Sequence, residues 1–384
     1  MRAAAATIIE DALHAQRPSA TVEVRRTAVP SREAVDEVAA EARTYLARPL
    51  TLTAAGRRQT ITRPELGDVL ALERVRGREP RVRLGVRQER LRALVRRIAA
   101  RTDRDPVDAR LRAPANAVTV AGKGELSWRP RSADVTASAG RTGLALEQTA
   151  AARSIARAVR AGRHRATLPV SVERPAVSQT AARRVRRLIG TFTTRFACCE
   201  PRAQNIRRIA RAVDGKVVAA GGQFSLNGIA GPRTRAKGYV PAPFIADGKI
   251  VPSVGGGVSQ FATTMFNAAY FAGLRLDAHQ PHSLFIDRYP AGREATVDYG
   301  SIDLAWTNDT EAPVLVRASS TSTSVTVTLY GDNGGRRVRA VPGARQDVPG
   351  GDFSITVTRV IRYRDGRVVR QPYTTTYDRP APDD

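Results

Sequence analysis

The chain has 384 residues, enough for two or three domains that each bury a core. Lys plus Arg is 62 and Asp plus Glu is 36, a formal charge of +26, while 42% of residues are hydrophobic. That hydrophobic fraction argues against disorder over most of the length. No apolar run reaches the roughly 18–20 residues of a membrane-spanning helix, and collagen, coiled-coil and disulfide-scaffold compositions are excluded.

Arginine supplies nearly all of the basic excess; the lysines are Lys123, Lys216, Lys237 and Lys249. A charge of this sign suits nucleic acid, an anionic wall polymer or a membrane surface, or is simply an arginine-rich surface. The arginines spread through the first half without interleaved aromatic residues, which argues against nucleic acid. The two cysteines, Cys198 and Cys199, are adjacent. They lack metal-ligand spacing, and a vicinal disulfide, an intermolecular one or two free thiols all remain open. Met1 leads into a helical pattern with no signal-peptide layout.

In chain order, residues 12–38 resemble residues 158–185, each copy running helix, strand, proline, helix. A spacing of about 145 residues indicates a duplicated domain rather than a solenoid. Residues 1–30 are therefore expected to be the remnant of an upstream repeated module, with a first domain and any membrane anchor missing. Residues 31–175 read as a small α+β module. Leu91, Leu94, Val95, Ile98 and Ala99 make one helical stripe, and Leu50–Thr53 and Ala117–Val120 alternate like strands. A basic helix is predicted from Ala181 to Ile189. In residues 332–384, Ile355–Tyr363 and Val368–Tyr373 flank Asp365-Gly366 as a β-hairpin, followed by a disordered tail from Arg379.

The chemistry-bearing segment is 202–306. Gly255, Gly256 and Gly257 precede a helix predicted from Ser259 to Ala272, which Gly273 stops. One stripe of that helix, Gln260, Thr263, Thr264 and Asn267, is polar and uncharged. Such a ridge suits either a cleft for a neutral sugar or peptide, or a buried, internally hydrogen-bonded helix. The glycine word is a weak nucleotide signal. His279 and His282 follow the helix; with Ser259 they fit a hydrolytic site, and without it they read as structural histidines. Carboxylates nearby are sparse and no third His is close, so neither a metal nor a cofactor is expected.

These segments carry a resemblance. Pro201-Arg202 with Asn205-Ile206, Gly222-Gln223-Phe224-Ser225, Gly231-Pro232-Arg233-Thr234, Gly255–Gln260, Thr263-Thr264, Asn267-Ala268-Ala269, His279 with His282-Ser283, and Tyr289–Thr296 resemble the VanW-like family. Residues 31–150 look like the peptidoglycan-binding module that often precedes that domain. The resemblance implies an α+β chain: N-terminal α+β binding modules, a mixed α/β VanW-like domain over 176–331, and the hairpin extension. It implies an extracytoplasmic envelope protein, membrane-anchored in a longer form. Its partner would be peptidoglycan or another anionic or neutral wall polymer, not nucleic acid. Arg202, Asn205, Gly255, Gly256, Gly257, Gln260, Thr263, Thr264, Asn267 and Arg293 are the expected ligand contacts. Many relatives have Cys where this chain has Ser259. A cysteine there would be an activated nucleophile, whereas serine suits a helix N-cap, which shifts the expectation toward binding. The alternatives are an envelope hydrolase or transferase using Ser259 with His279 or His282, and a purely structural scaffold.

Overall fold

The computed structural model describes residues 14–15, 29–75, 81–115, 118–246 and 249–379. It is a mixed α+β protein, and none of its described helices is long and apolar enough to cross a membrane. The chain divides into two compact units: Met1–Asp105 with Gly143–Glu173, and Pro106–Thr142 with Arg174–Asp384. The split differs from a single break near residue 175, because residues 106–142 leave the first unit and pack in the second. Most of the 1–30 remnant, and with it most of the first repeat copy, lies outside the described residues.

In the first unit, strand Leu50–Ala54 pairs parallel with Arg165–Leu168 and antiparallel with Arg57–Ile61. Helix Gln88–Thr102 buries the expected stripe of Leu91, Leu94, Val95, Ile98 and Ala99. Helix Gln148–Arg160 adds Ile155 and Val159 to the same core. A fully buried aliphatic side chain stabilises by about 1.5–3 kcal/mol, which is why these apolar stripes define the packing. Tyr45 closes one edge: its hydroxyl donates to the Arg163 carbonyl at 2.8 Å while its ring stacks on His164.

Among the sheets of the second unit are two five-stranded antiparallel ones with a helix against both. The first sheet runs Val217–Val218, Val314–Ser320, Ser324–Gly331, Arg187–Arg195, Arg131–Ser132. The second runs Gln346–Asp347, Gly351–Arg362, Arg337–Pro342, Leu126–Trp128, and Val368–Asp378 also pairs with Gly351–Arg362. The central helix, Val258–Ala272, touches both sheets, so it is buried on every face and not only on its apolar stripe. It approaches Arg187–Arg195 so closely that a Cβ on Gly190 would meet the Ala268 carbonyl at 2.3 Å. A bulge between Leu188 and Gly190 interrupts the ladder there, and the Trp128 indole N–H satisfies the Ile189 carbonyl at 2.8 Å.

Two expectations change. The helix predicted for Ala181–Ile189 shrinks to Gln179–Ala182, and a strand begins at Arg187. Leu188, Ile189 and Phe192 are buried because this strand is covered on both faces, a burial that also reads as a helical stripe. Val118–Val120 form no strand; this segment lies beside Arg187–Arg195 and accepts from Thr191 and Thr193 through the Val118 and Val120 carbonyls.

The predicted hairpin exists as Gly351–Arg362 and Val368–Asp378, and it is an integral wall of the core rather than an appendage. Its Arg359 is 1% exposed. The guanidinium donates to the Ala269, Tyr270 and Leu274 carbonyls at 2.6–3.3 Å, capping the C-terminal end of the central helix. A cation there also opposes the negative end of the helix dipole.

Candidate functional site

The start of the central helix is fixed by its glycines. Gly257 occupies the N-cap at φ 88°, where a Cβ would meet Arg202 Cβ at 2.7 Å. A Cβ on Gly256 would strike the Ala242 carbonyl oxygen at 2.1 Å. The glycine word therefore serves close packing and a left-handed turn. Asn205, fully buried, locks that turn by donating to the Val240 and Gly256 carbonyls and accepting from the Val240 amide, all at 2.8–2.9 Å. Ser259 lies two residues beyond the N-cap and does not cap the helix.

The polar ridge faces protein. Gln260, Thr263, Thr264 and Asn267 are each 0% exposed. Gln260 accepts from Arg202 and donates to Thr194 and the Arg195 carbonyl; Thr264 bonds Thr194. Three residues spaced by four along the helix pin one extended segment running the opposite way. Ser259 Oγ accepts from the Val297 amide at 3.3 Å, Thr263 Oγ1 exchanges bonds with both backbone groups of Ala295, and Asn267 Nδ2 donates to the Arg293 carbonyl at 2.7 Å. Four helical residues advance about 6.0 Å and two extended residues about 6.6 Å, so the two spacings match. Arg293, 1% exposed, donates to Asn267 Oδ1 and to the Gly122 and Gly124 carbonyls, and burial lowers its pKa to about 10. The polar groups of Asn205, Gln260, Thr263, Thr264, Asn267 and Arg293 thus bond within the protein, and their side chains are buried.

Glu294, between Arg293 and Ala295 and so out of phase with them, turns toward the loop after the helix. Its Oε2 lies 2.8 Å from His282 Nδ1, and its Oε1 accepts from the Tyr377 hydroxyl, which in turn accepts from the Gly292 amide. If the imidazole is neutral, it is the Nδ1–H tautomer that donates to the carboxylate, leaving Nε2 as the acceptor. His282 stacks on buried Tyr289. His279 separates from it: its ring stacks on Phe266 at 4.4 Å and meets Tyr373 edge-on, and burial lowers its pKa to about 4.

A cleft of about 460 Å³ opens at the helix start. Ser259, His282, Gly257 and Arg202 line it with Thr296 and Tyr289, and Phe244 and Phe285 add apolar wall. The structure therefore brings Ser259 and His282 to one surface and leaves His279 away from it. Ser259 Oγ bonds Thr296 Oγ1 at 3.1 Å rather than an imidazole. Arg202 is 8% exposed, makes no salt bridge among the described residues, and has its pKa lowered by burial. Arg288, exposed, joins it on the cleft wall. Glu294, Thr296, Tyr289 and Arg288 were not singled out from the sequence, although all but Arg288 sit inside a segment that carries the resemblance. Tyr377, which completes the His282–Glu294 chain, lies outside those segments. Among the described residues no three His, Cys, Asp or Glu side chains converge as a metal site, and Cys198 and Cys199 are exposed free thiols.

Residues 201–330, which hold the central helix and most of the cleft wall, match the family described as VanW like protein. The chain is also 37% identical over 163 residues to the uncharacterized protein YoaR of Bacillus subtilis (strain 168). That alignment covers 42% of this chain and 54% of the relative, so the chain spans about half of YoaR's length. No solved structure matches the chain.

Proposed function

We propose that this is an extracytoplasmic cell-envelope protein whose second unit binds a carboxylate-bearing wall peptide, of the peptidoglycan-stem type, in the cleft beside Ser259. One observation carries the reading: Arg202, a nearly buried guanidinium that forms no salt bridge among the described residues, lines with Arg288 a mostly apolar and aromatic cleft in which Glu200 is the one carboxylate among the lining residues, so the two arginines leave positive charge unanswered. A buried cation facing an apolar cleft favours an anionic group there, and the guanidinium fork matches a carboxylate. The binding residues in this reading are Arg202, Arg288, Gly257, Ser259 and His282, not the buried polar ridge. Membrane attachment through a segment outside this sequence belongs to the same proposal.

Calorimetric titration of the intact protein with a soluble stem peptide tests it. Amidating the terminal carboxylate, or substituting Arg202→Gln, is expected to weaken binding at least tenfold, the equivalent of about 1.4 kcal/mol. Equal affinity for acid and amide overturns the reading.

A second reading, acyl or glycosyl hydrolysis or transfer, is favoured by the Glu294–His282 contact on the cleft that holds Ser259. A carboxylate that orients an imidazole near a hydroxyl is the layout of an assisted nucleophile. Turnover of wall fragments by the wild type, abolished in Ser259→Ala, supports it; equal rates in both remove it.

A further inference from the structure

The second sheet of the second unit carries an unusual run of like charge. Arg337 and Arg362 are direct partners across the antiparallel register of Arg337–Pro342 and Gly351–Arg362. Arg339 lies two residues on, and Arg370 follows one strand over, opposite Val360. With Arg129 and Arg131 these exposed arginines surround a depression of about 700 Å³. Glu125 answers Arg339 at 3.0 Å, and Arg131 lies over the Trp128 ring. Arg129, Arg337, Arg362 and Arg370 have no ion-pair partner among the described residues.

Cross-strand partners on one face hold their Cβ atoms roughly 4.5–5.5 Å apart, and like charges placed so repel. The Arg337–Arg362 pair is therefore a standing cost to the sheet that a bridging anion would remove. Val360 lies between Arg339 and Arg370, and with Val341 and Val368 it lines the depression and provides apolar contact for a short carbon linker. Trp128 is 5% exposed, so it is no platform for stacking a base.

We infer that this arginine face binds a flexible phosphodiester polymer without bases, each phosphate bridging guanidinium groups of neighbouring strands. Guanidinium forks pair with the two free oxygens of a phosphodiester, which is charged at neutral pH. The site is separate from the cleft at Ser259, and its failure leaves that reading standing.

Fluorescence anisotropy with an end-labelled poly(glycerol phosphate) of about ten repeats tests it on the intact chain. Binding is expected to weaken at least tenfold in the triple variant Arg337→Gln/Arg362→Gln/Arg370→Gln. The slope of log K against log salt is expected to flatten by about 2–3, near one per arginine removed. A control with the same loss of charge in the other unit, Arg92→Gln/Arg96→Gln/Arg153→Gln, is expected to stay within twofold of wild type. Arg362→Glu is expected to raise the melting temperature, by replacing repulsion with attraction opposite Arg337, while weakening binding. Equal loss in the two triple variants overturns the proposal, because binding would then follow total charge. Equal or tighter binding of a charge-matched oligothymidylate, of polyglutamate or of vesicles rich in phosphatidylglycerol also overturns it.

Discussion

Glu294 lies with one carboxylate oxygen 2.8 Å from His282 Nδ1 and the other on the hydroxyl of Tyr377, 83 residues farther along the chain. The carboxylate is inaccessible and the imidazole nearly so. Tyr377→Phe removes the hydroxyl from both Glu294 and the Gly292 amide. It is expected to cost about 1–3 kcal/mol in urea unfolding, since each buried group then loses a partner. A loss below about 0.5 kcal/mol would show that the chain of bonds contributes little.

His279 gives the fold a dependence on acid. Its folded-state pKa is depressed to about 4, below the unfolded value near 6.5, so the unfolded chain binds the proton first. The stability it contributes is complete above about pH 6.5 and is lost as pH falls toward 4, on the order of 3 kcal/mol in all. Urea midpoints measured between pH 7 and 4 are expected to fall less steeply in His279→Phe than in the wild type.

The ridge residues are expected to behave as core. Asn267→Leu strips partners from the Thr263 and Arg293 carbonyls and from the Arg293 guanidinium. Leaving a buried cation short of acceptors costs about 3 kcal/mol or more. Calorimetric melting reads this directly; an unchanged melting temperature would return the ridge to candidacy as a binding surface.

Gly256→Ala is expected to be worse tolerated than Gly257→Ala. The first places a methyl group on a backbone carbonyl, whereas the second meets the stem of Arg202 in a strained left-handed turn. The proportion of soluble, cooperatively unfolding protein from each variant ranks the two.

A thiol at position 259 would report the electrostatics of the helix start. In a Cys198→Ser/Cys199→Ser background, Ser259→Cys is expected to react with iodoacetamide faster at pH 7 than an unperturbed thiol, because a helix N-terminus and two arginines favour the thiolate. A rate profile with a pKa at or above about 8.5 would contradict that.

The central helix was legible in the sequence almost to the residue, because glycines in left-handed turns stop and start helices by a purely local rule. The uncharged ridge was also legible as a ridge. Its burial was not, since the segments that cover it, around Thr194 and around Arg293, depend on pairings made at long range. Arg187–Arg195 misled for a related reason: a strand buried on both faces loses the alternation that marks a strand. Arg359 and Tyr377 sit in a hairpin whose own pattern was clear, yet nothing local says that one caps a helix and the other reaches Glu294.

That hairpin gives the second unit an order of completion. During vectorial synthesis the central helix leaves the ribosome long before Arg359 can cover its last carbonyls or Tyr377 can reach Glu294. A nascent chain arrested before Gly351–Arg362 would hold a helix with one bare end and a histidine with an incompletely anchored carboxylate. The carboxylate that anchors His282 is therefore completed by a strand made after every residue that lines the cleft.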